Sequence, residues 1–537
     1  MAGIGPQTAS CETRPRLGMS GGLAQSVLQH AVDLGVCDFC VCTGSRNSDL
    51  IHGLLQNFEA VNVHPFFEER SAAFFALGRH MTSDHPVAVV TTSGTAVAEL
   101  LPAAIEAHYQ RRPLIFITAD RPASYRGSGS PQAIEQAGIF GHYAQDAGDI
   151  TASTNLTQCT AAWPADRPLH LNILLEEPRE IPSITLTKPP TKASDPRVST
   201  NTTDLASFLK LQVPLLVMAG CWQPDASWVR LLEQLQAPIL ADLTSGLHGI
   251  PSLQQLILAG GDQTAAQLSY ERVLRLGGVP SFRAWRDLEA QPSKAVLSIS
   301  QRPFPGLARR SRLVDITGPL PELEIGLQEK PGRWRAIAKR HAQCLNELLE
   351  QYPDCEVACL RRLFSRVPDD AIAFLGNSLP IREGVLATNG ITPQQFHANR
   401  GANGIDGSLS TFLGSAQASE CEHWGFFGDL TTLYDLSAPS ILAQMAETRI
   451  RIVVINNGGG KIFRLLPNWQ GLDADGERVV ENTHGFDFAA WAQAWGLGYS
   501  RIGDRLPTFD NWQTHQVLEI KPDQQHSDAF WKAWRAV

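Results

Sequence analysis

The amino-acid sequence predicts an α/β protein built of three doubly wound parallel-sheet domains. Short β-branched runs alternate with helical stretches along most of the chain, the pattern of parallel sheets covered by helices. The length, 537 residues of which 43% are hydrophobic, supplies roughly three or four cores of ordinary domain size. A stretch at 182–203, dense in Pro, Thr, Ser and Lys and without an apolar period, separates the first block from the second.

Taken in order, the first block (20–185) is expected to hold a helix at 23–34, strands at 36–43 and 87–92, a helix at 96–108 and a strand at 114–119. The second (204–350) carries strands at 215–219, 239–242, 295–299 and 313–316 and closes on a long helix at 334–349. The third (351–537) carries strands at 371–375, 423–427, 450–455 and 517–520. Residues 1–19, rich in small residues and lacking apolar periodicity, are expected to be a frayed extension, with Met19 as an alternative start. Ligands of open sheets sit beyond the carboxyl ends of the strands, so chemistry is sought in the residues just after each strand.

A formal net charge of -9 argues against nucleic acid or an anionic membrane surface as the main partner. No apolar run approaches the ~20 residues that span a bilayer, and the first twenty residues lack a secretory core; the chain is expected to be soluble and cytoplasmic. Cys37, Cys40 and Cys42 include a CxxC, yet no second Cys/His cluster completes a metal site, so they are expected to act as small hydrophobes. Cys355 and Cys359, four apart on an expected helix, are read the same way.

The most specific signal lies in the third block. One apolar strand runs into Gly428-Asp429-Leu430, and a second runs into Asn456-Asn457-Gly458-Gly459-Gly460. The 26 residues between Asp429 and Asn456 leave room for one helix returning across the sheet, so both loops should emerge side by side at one edge. A carboxylate, an amide and a backbone carbonyl are the hard oxygen donors that suit Mg²⁺ beside a phosphorylated ligand. Taken singly, GD and NNGGG are ordinary turn signals; together, at this spacing, they favour a metal site. GGGKIF is not a P-loop, because Ile462 stands where Ser or Thr is required. A convincing GxGxxG after a strand is also lacking, which argues against a nicotinamide enzyme.

The GD and NN pair resembles the diphosphate-binding motif of thiamine-diphosphate enzymes. That resemblance implies thiamine diphosphate with Mg²⁺, or Mn²⁺ in its place, and a metal held by Asp429, the Asn456 side chain and the Gly458 carbonyl. Leu430 departs from the Gly usual there and leaves the ligands intact. In HPFFEERSAAFF, Glu68 and Glu69 precede a helix, where acids are common for the macrodipole alone. The segment resembles the family's activating-glutamate motif, which selects Glu69, with Glu68 the runner-up. The family's arrangement implies an aminopyrimidine-binding first domain, a central domain and a diphosphate-binding third domain. Glu69 and Asp429 would then meet across a subunit interface, making a homodimer the minimum and a homotetramer the expected assembly.

GSRNSDL (44–50), TSGTA (92–96), TADRP (118–122), GNSLPIR (376–382) and NRGANGIDG (399–407) narrow the resemblance. Together they resemble the 2-succinyl-5-enolpyruvyl-6-hydroxy-3-cyclohexene-1-carboxylate synthases of menaquinone and phylloquinone biosynthesis, from about residue 20 to the C-terminus. Such enzymes decarboxylate 2-oxoglutarate and add the succinyl carbanion equivalent in 1,4 fashion to isochorismate. Both substrates carry two carboxylates, which fixed guanidinium groups recognise well.

The resemblance places Thr92, Ser93, Gly94, Gly376, Asn377, Ser378, Gly428 and Leu430 at the cofactor, with Ile405 as the apolar wedge that bends it. Ser378 and Arg382 would take the distal carboxylate of 2-oxoglutarate, with Arg400 nearby; Ser45, Arg46, Arg121, Gln132 and Arg283 would face isochorismate. Thr43 and Asp49 replace prolines of the family loop, and Phe282-Arg283 stands where a basic pair is usual. The segment 461–485 is expected to close over the site and exclude water. The rival readings are a different thiamine carboligase or 2-oxo-acid decarboxylase, and a non-catalytic thiamine-fold subunit, against which Glu69 argues.

Overall fold

Among the described residues, seventeen strands form three sheets, and every strand pair is parallel. The computed structural model describes residues 19–177, 181–188, 201–326, 332–388, 395–416, 421–445, 447–469, 471–503 and 514–537. Residues 1–18 of the expected extension and 189–200 of the expected linker lie outside them, and a helix begins at Met19.

The first sheet contains β1 (Asp38–Cys42), β2 (Asn62–Phe66), β3 (Val87–Thr91), β4 (Leu114–Asp120), β5 (Gln145–Ile150) and β6 (Leu169–Leu174), in the order β2-β1-β3-β4-β6-β5. The second contains β7 (Leu215–Ala219), β8 (Ile239–Ala241), β9 (Arg272–Leu276), β10 (Ala295–Ile299) and β11 (Arg312–Val314), in the order β11-β10-β9-β7-β8. The third contains β12 (Ile372–Leu375), β13 (Gln395–His397), β14 (Glu422–Gly428), β15 (Arg449–Ile455), β16 (Gly498–Ile502) and β17 (His515–Ile520), in the order β13-β12-β14-β15-β17-β16. The first and third sheets thus share one topology. In each, the order reverses between the first and third strands, which opens a crevice at the carboxyl edge. The α/β, three-sheet class read from the sequence is the one observed.

Three local expectations need correcting. The helix at 96–108 is two helices, Thr95–Ala98 and Leu101–Gln110, because Pro102 has no N–H to give the Ala98 carbonyl. Between Asp429 and Asn456 there is not one helix but a short helix, Asp429–Tyr434, followed by a 3-10 segment, Ala438–Gln444. β5, β6, β13 and β16 were not among the expected strands, and neither was β9, at the centre of the second sheet, whose RVLRL carries two arginines. Both are buried, and both donate to backbone oxygens: Arg272 to Val213 (2.9 Å) and Phe208, Arg275 to Pro305 (3.1 Å) and Phe304 (3.0 Å).

The first and third sheets are joined within one chain by a crossing of two helices, Glu69–Ser83 and Ser408–Ser415. Glycines let the backbones touch: a Cβ on Gly78 would overlap the Thr411 carbonyl oxygen, and one on Gly414 the Phe75 carbonyl oxygen. Phe74, Phe75, Phe412 and Phe427 fill the core around the crossing. Glu69 therefore begins a helix whose position is set by its packing on the Ser408–Ser415 helix of the third block. Gly414→Val should destabilise the fold by about 3 kcal/mol or more in denaturant titration, since the obstacle is backbone rather than a movable side chain. Gly22→Ala, where a Cβ meets nothing within 4 Å on an exposed helix face, should be neutral or stabilise by up to about 1 kcal/mol.

Candidate active site

β14 and β15 pair in register to their last residues, Gly428 opposite Ile455, so the loops they feed leave the sheet at the same level. That level ending brings Asp429 Oδ2 within 2.8 Å of both the Gly458 and Gly459 backbone N–H groups, which donate to it. The Leu430 N–H donates to Oδ1 at 2.7 Å. Asp429 is buried, and burial raises its carboxyl above the usual range, against the opposing pull of His484 and these N–H groups. His484 Nε2 stands 3.2 Å from Oδ2, and its Nδ1 accepts from the Phe486 N–H. A sequence scan has no means of finding His484, which lies 55 residues beyond Asp429.

The surroundings fit a hard cation with a phosphate. The Asn456 amide nitrogen donates to Glu519 Oε1 at 2.6 Å, which fixes the opposite edge of the amide, Oδ1, as the oxygen it can offer. Gly458 has φ +82°, and a Cβ there would meet nothing within 4 Å, so open space borders its backbone. Its neighbour Gly459, at φ +135°, is pressed against the Glu481 carbonyl and tolerates no side chain. The segment after this loop is pinned by the same Glu481, whose carboxylate pairs with Lys461 and Arg464.

Glu68 and Glu69 divide their work at the helix start. Glu68 accepts from the Arg70 N–H (3.1 Å), the Ser71 N–H (3.0 Å) and the Ser71 hydroxyl, the bonding of an N-cap. Glu69 has none of these ties. Partial burial raises its carboxyl above the ordinary range, and the nearby Glu68 and Glu99 carboxylates push the same way. A carboxyl so poised holds a proton more readily than a solvated one.

β12 ends at Gly376-Asn377-Ser378, and Ser378 takes φ +72°. Its carbonyl accepts from Arg382, while Arg400 Nη1 donates to Asn377 Oδ1 at 2.9 Å. Asn377 in turn donates to the carbonyls of Asn399 (2.9 Å) and Gly404 (2.7 Å), tying this loop to the one bearing Ile405. Arg400 is buried, and among the described residues its Nε finds no partner. Desolvation, with Arg400 and Arg286 close by, lowers the Arg382 guanidinium pKa. None of Arg286, Arg382 and Arg400 makes an ion pair within 4 Å among the described residues. Arg286 was missed in the sequence. Arg283, which was singled out, is exposed and sits 3.5 Å from Asp287.

At the first sheet's edge, Gly44 packs on Thr92, and the Asn47 amide oxygen accepts from the Gly44 N–H at 2.9 Å. Ser45 is exposed beside half-buried Arg46, which donates to the Leu175 carbonyl (3.1 Å) and is depressed by burial and by neighbouring Arg121. Arg121 donates to the Pro131 carbonyl at 3.1 Å. Gln132, at φ +55°, lies against Gly94, where a Cβ would stand 3.1 Å from its Cα. The Gly94 N–H donates to buried Gln136 (2.8 Å), which also holds Asn172 (2.9 Å). Thr92 and Ser93 are buried in the same turn. Ser45, Arg46, Arg121, Gln132 and Thr92 to Gly94 thus share one edge, while Ser378, Arg382, Arg400 and Ile405 share another, on the third sheet. The cysteines named in the sequence are free, and burial raises the Cys40, Cys42, Cys355 and Cys359 thiols.

Comparison with known proteins gives a consistent answer. Residues 22–139 match the thiamine pyrophosphate enzyme N-terminal TPP binding domain. The chain is 38% identical over 535 residues to a 2-succinyl-5-enolpyruvyl-6-hydroxy-3-cyclohexene-1-carboxylate synthase of Bdellovibrio bacteriovorus, covering 95% of this chain and 98% of that one. It is 39% identical over 515 residues to the enzyme of the same name from Akkermansia muciniphila, covering 92% and 95%. Among solved structures, a thiamin diphosphate-dependent enzyme from Mycobacterium smegmatis superposes with a TM-score of 0.65 at 16% identity, over 94% of this chain and 99% of that one. Benzoylformate decarboxylase from Polynucleobacter necessarius gives 0.64 at 14%, with the same coverage. These two share the fold.

Asp435 supplies a pH test of the scaffold. It is fully buried and accepts from the N–H groups of Gly407 (3.1 Å), Leu409 (2.9 Å) and Ser410 (3.2 Å). Burial pushes its carboxyl up to about 6, whereas an unfolded Asp titrates near ~4. The folded chain therefore binds the proton more tightly across that window. Its contribution to stability is complete below ~4 and lost as pH rises through about 6. Between those limits, the fall in melting temperature with rising pH should be shallower in Asp435→Asn than in the unaltered protein, read by differential scanning calorimetry.

Proposed function

From the family to which the chain belongs, the 2-succinyl-5-enolpyruvyl-6-hydroxy-3-cyclohexene-1-carboxylate synthases, we infer that it decarboxylates 2-oxoglutarate and adds the succinyl unit in 1,4 fashion to isochorismate. It is a thiamine-diphosphate-dependent transferase. The observation that supports the substrate assignment is the set of guanidinium groups around Ser378 that make no ion pair within 4 Å among the described residues, Arg382 and Arg400, with the Asp242 and Asp262 carboxylates farther off. Fixed cations of this kind at a strand-end crevice suit a dicarboxylate.

Thiamine diphosphate, when bound, supplies a thiazolium carbon that accepts the oxo acid and stores the electron pair released with CO₂. Asp429, the Asn456 side chain and the Gly458 carbonyl would hold Mg²⁺, or Mn²⁺, against its diphosphate. Glu69 would exchange a proton with the aminopyrimidine, a task suited to a carboxyl whose pKa burial has raised. Gly94 and Gly376 would let backbone approach the cofactor, and Ile405 would be the apolar wedge against it. Ser378, Arg382 and Arg400 hold the 2-oxoglutarate side, while Ser45, Arg46, Arg121 and Gln132 orient isochorismate. Arg283 would face isochorismate, and Arg286, exposed like it, lies near enough to Arg382 to act on it electrostatically.

The active unit is a homodimer at least. Phe67 and Tyr434, exposed by 67% and 52%, flank the start of the Glu69 helix, where Arg70 bonds the Tyr434 carbonyl. An apolar face of that kind beside an activating carboxylate supports coverage by a second chain. No described helix is long and apolar enough to cross a membrane; we place the enzyme in the cytoplasm.

In a steady-state assay with thiamine diphosphate, Mg²⁺ and both substrates, isochorismate should be consumed in step with CO₂ release. Release of CO₂ without isochorismate consumption would make the chain a different decarboxylase. Glu69→Gln should lower turnover by ~10²-fold or more, the scale of acid–base catalysis, while sparing cofactor binding. Retained activity would move the activating role to another group.

A further inference from the structure

Glu106 is a buried carboxylate of the first block, on the helix Leu101–Gln110, and it is spent largely on the third. Its Oε1 accepts from the Gly401 N–H at 2.6 Å, and its Oε2 from the Ala402 N–H at 2.7 Å and the Asn403 N–H at 3.3 Å. Gln110 donates to Oε1 at 2.7 Å and also reaches Asn399 Oδ1 at 3.3 Å. No ion pair within 4 Å accompanies Glu106 among the described residues. Three successive backbone N–H groups converging on one carboxylate form an anion nest, here occupied by the protein's own side chain.

What the nest holds matters more than the nest. Gly401, Ala402 and Asn403 lie between Arg400, immediately before them, and Ile405, two residues after. Gly401 packs so closely on the Glu106 backbone that a Cβ there would stand 2.5 Å from the Glu106 carbonyl oxygen. Asn403 takes φ +64°, a conformation the nest stabilises locally. Loops are ordinarily the mobile part of such a site, and this one has few apolar contacts to fix it: Ala402 and Asn403 are exposed. Its far end is held by Asp435 through the Gly407 N–H.

We propose that Glu106 is a positioning residue, which from the first domain fixes the loop that presents Arg400 and Ile405 and so sets affinity on the 2-oxoglutarate side without touching substrate. This rests on the roles given above to Arg400 and Ile405. Loss of the carboxylate replaces one acceptor oxygen by an amide N–H facing other N–H groups, so the nest opens and Arg400 loses its registration with Ser378 and Arg382. The isochorismate contacts, on the first sheet's edge around Arg46 and Arg121, are left as they are.

The test uses the full-length holoenzyme with Glu106→Gln and Glu106→Asp. In Glu106→Gln, KM for 2-oxoglutarate should rise about tenfold or more, the scale expected when a binding group drifts by ~1 Å. KM for isochorismate should stay within about twofold, and Glu106→Asp, which keeps the charge, should recover part of the loss. Calorimetric binding of glutarate, a non-reacting dicarboxylate, should weaken in parallel; it reads the loop independently of turnover, so failure of the assigned reaction is distinguishable from failure of this proposal. Unchanged 2-oxoglutarate KM and glutarate affinity would overturn it. Equal losses for both substrates, tracking a fall in melting temperature, would also overturn it by making Glu106 a scaffold residue only. If Glu106→Gln does not fold, the 2-oxoglutarate and glutarate shifts in Glu106→Asp decide.

Discussion

Two parallel strands that end level are the constraint on which the site depends. Because Gly428 and Ile455 are partners in the β14–β15 ladder, Asp429 emerges facing the glycines that follow Asn456, and its carboxylate accepts both of their N–H groups at 2.8 Å. A slip of one residue would carry the carboxylate away from the glycine N–H groups and turn neighbouring side chains to the opposite face of the sheet. The register is protected by packing: Phe426, Val453 and Ile455 fill the core on one face of the sheet and Phe427 and Val454 the core on the other, so a slip would mismatch the side chains of both.

Around that fixed point, acids and cations have separate tasks. Glu68, Glu106 and Asp435 spend their oxygens largely on backbone N–H groups, capping a helix or holding a loop. The arginines at the strand ends bond to carbonyls and amides instead of carboxylates, as Arg46 does with Leu175, Arg121 with Pro131, Arg382 with Ser378 and Arg400 with Asn377. A guanidinium anchored by a neutral acceptor keeps its full charge for a ligand, whereas one paired to a carboxylate does not. This division leaves guanidinium groups without an ion pair within 4 Å, among the described residues, at two sheet edges of a protein of net charge -9.

The parts legible in the sequence were those with short-range signatures. Glycine- and asparagine-rich loops following apolar runs marked the strand ends, and the motif at Asp429 and Asn456 marked the edge where two loops meet. β9 was hidden because Arg272 and Arg275 look solvent-bound until the carbonyls of Val213, Phe208, Pro305 and Phe304 are seen around them. Glu106 and His484 were invisible for a different reason. Each acts on residues far along the chain, 295 and 55 positions away, and nothing in a helical EAHYQ or a loop THGF announces the partner. Glu68 and Glu69 were left in rivalry by their shared motif, and the N-cap bonding of Glu68 favours Glu69 as the group left for chemistry.

The most direct test of this account is a calorimetric titration of the metal-stripped protein with thiamine diphosphate, with and without Mg²⁺, repeated on Asp429→Ala. Tight binding that requires Mg²⁺, with that requirement and most of the affinity lost in Asp429→Ala, is the result predicted. Equal affinity with and without the metal, or an Asp429→Ala protein that binds as the unaltered one does, would contradict the assignment of the β14–β15 edge as the cofactor site.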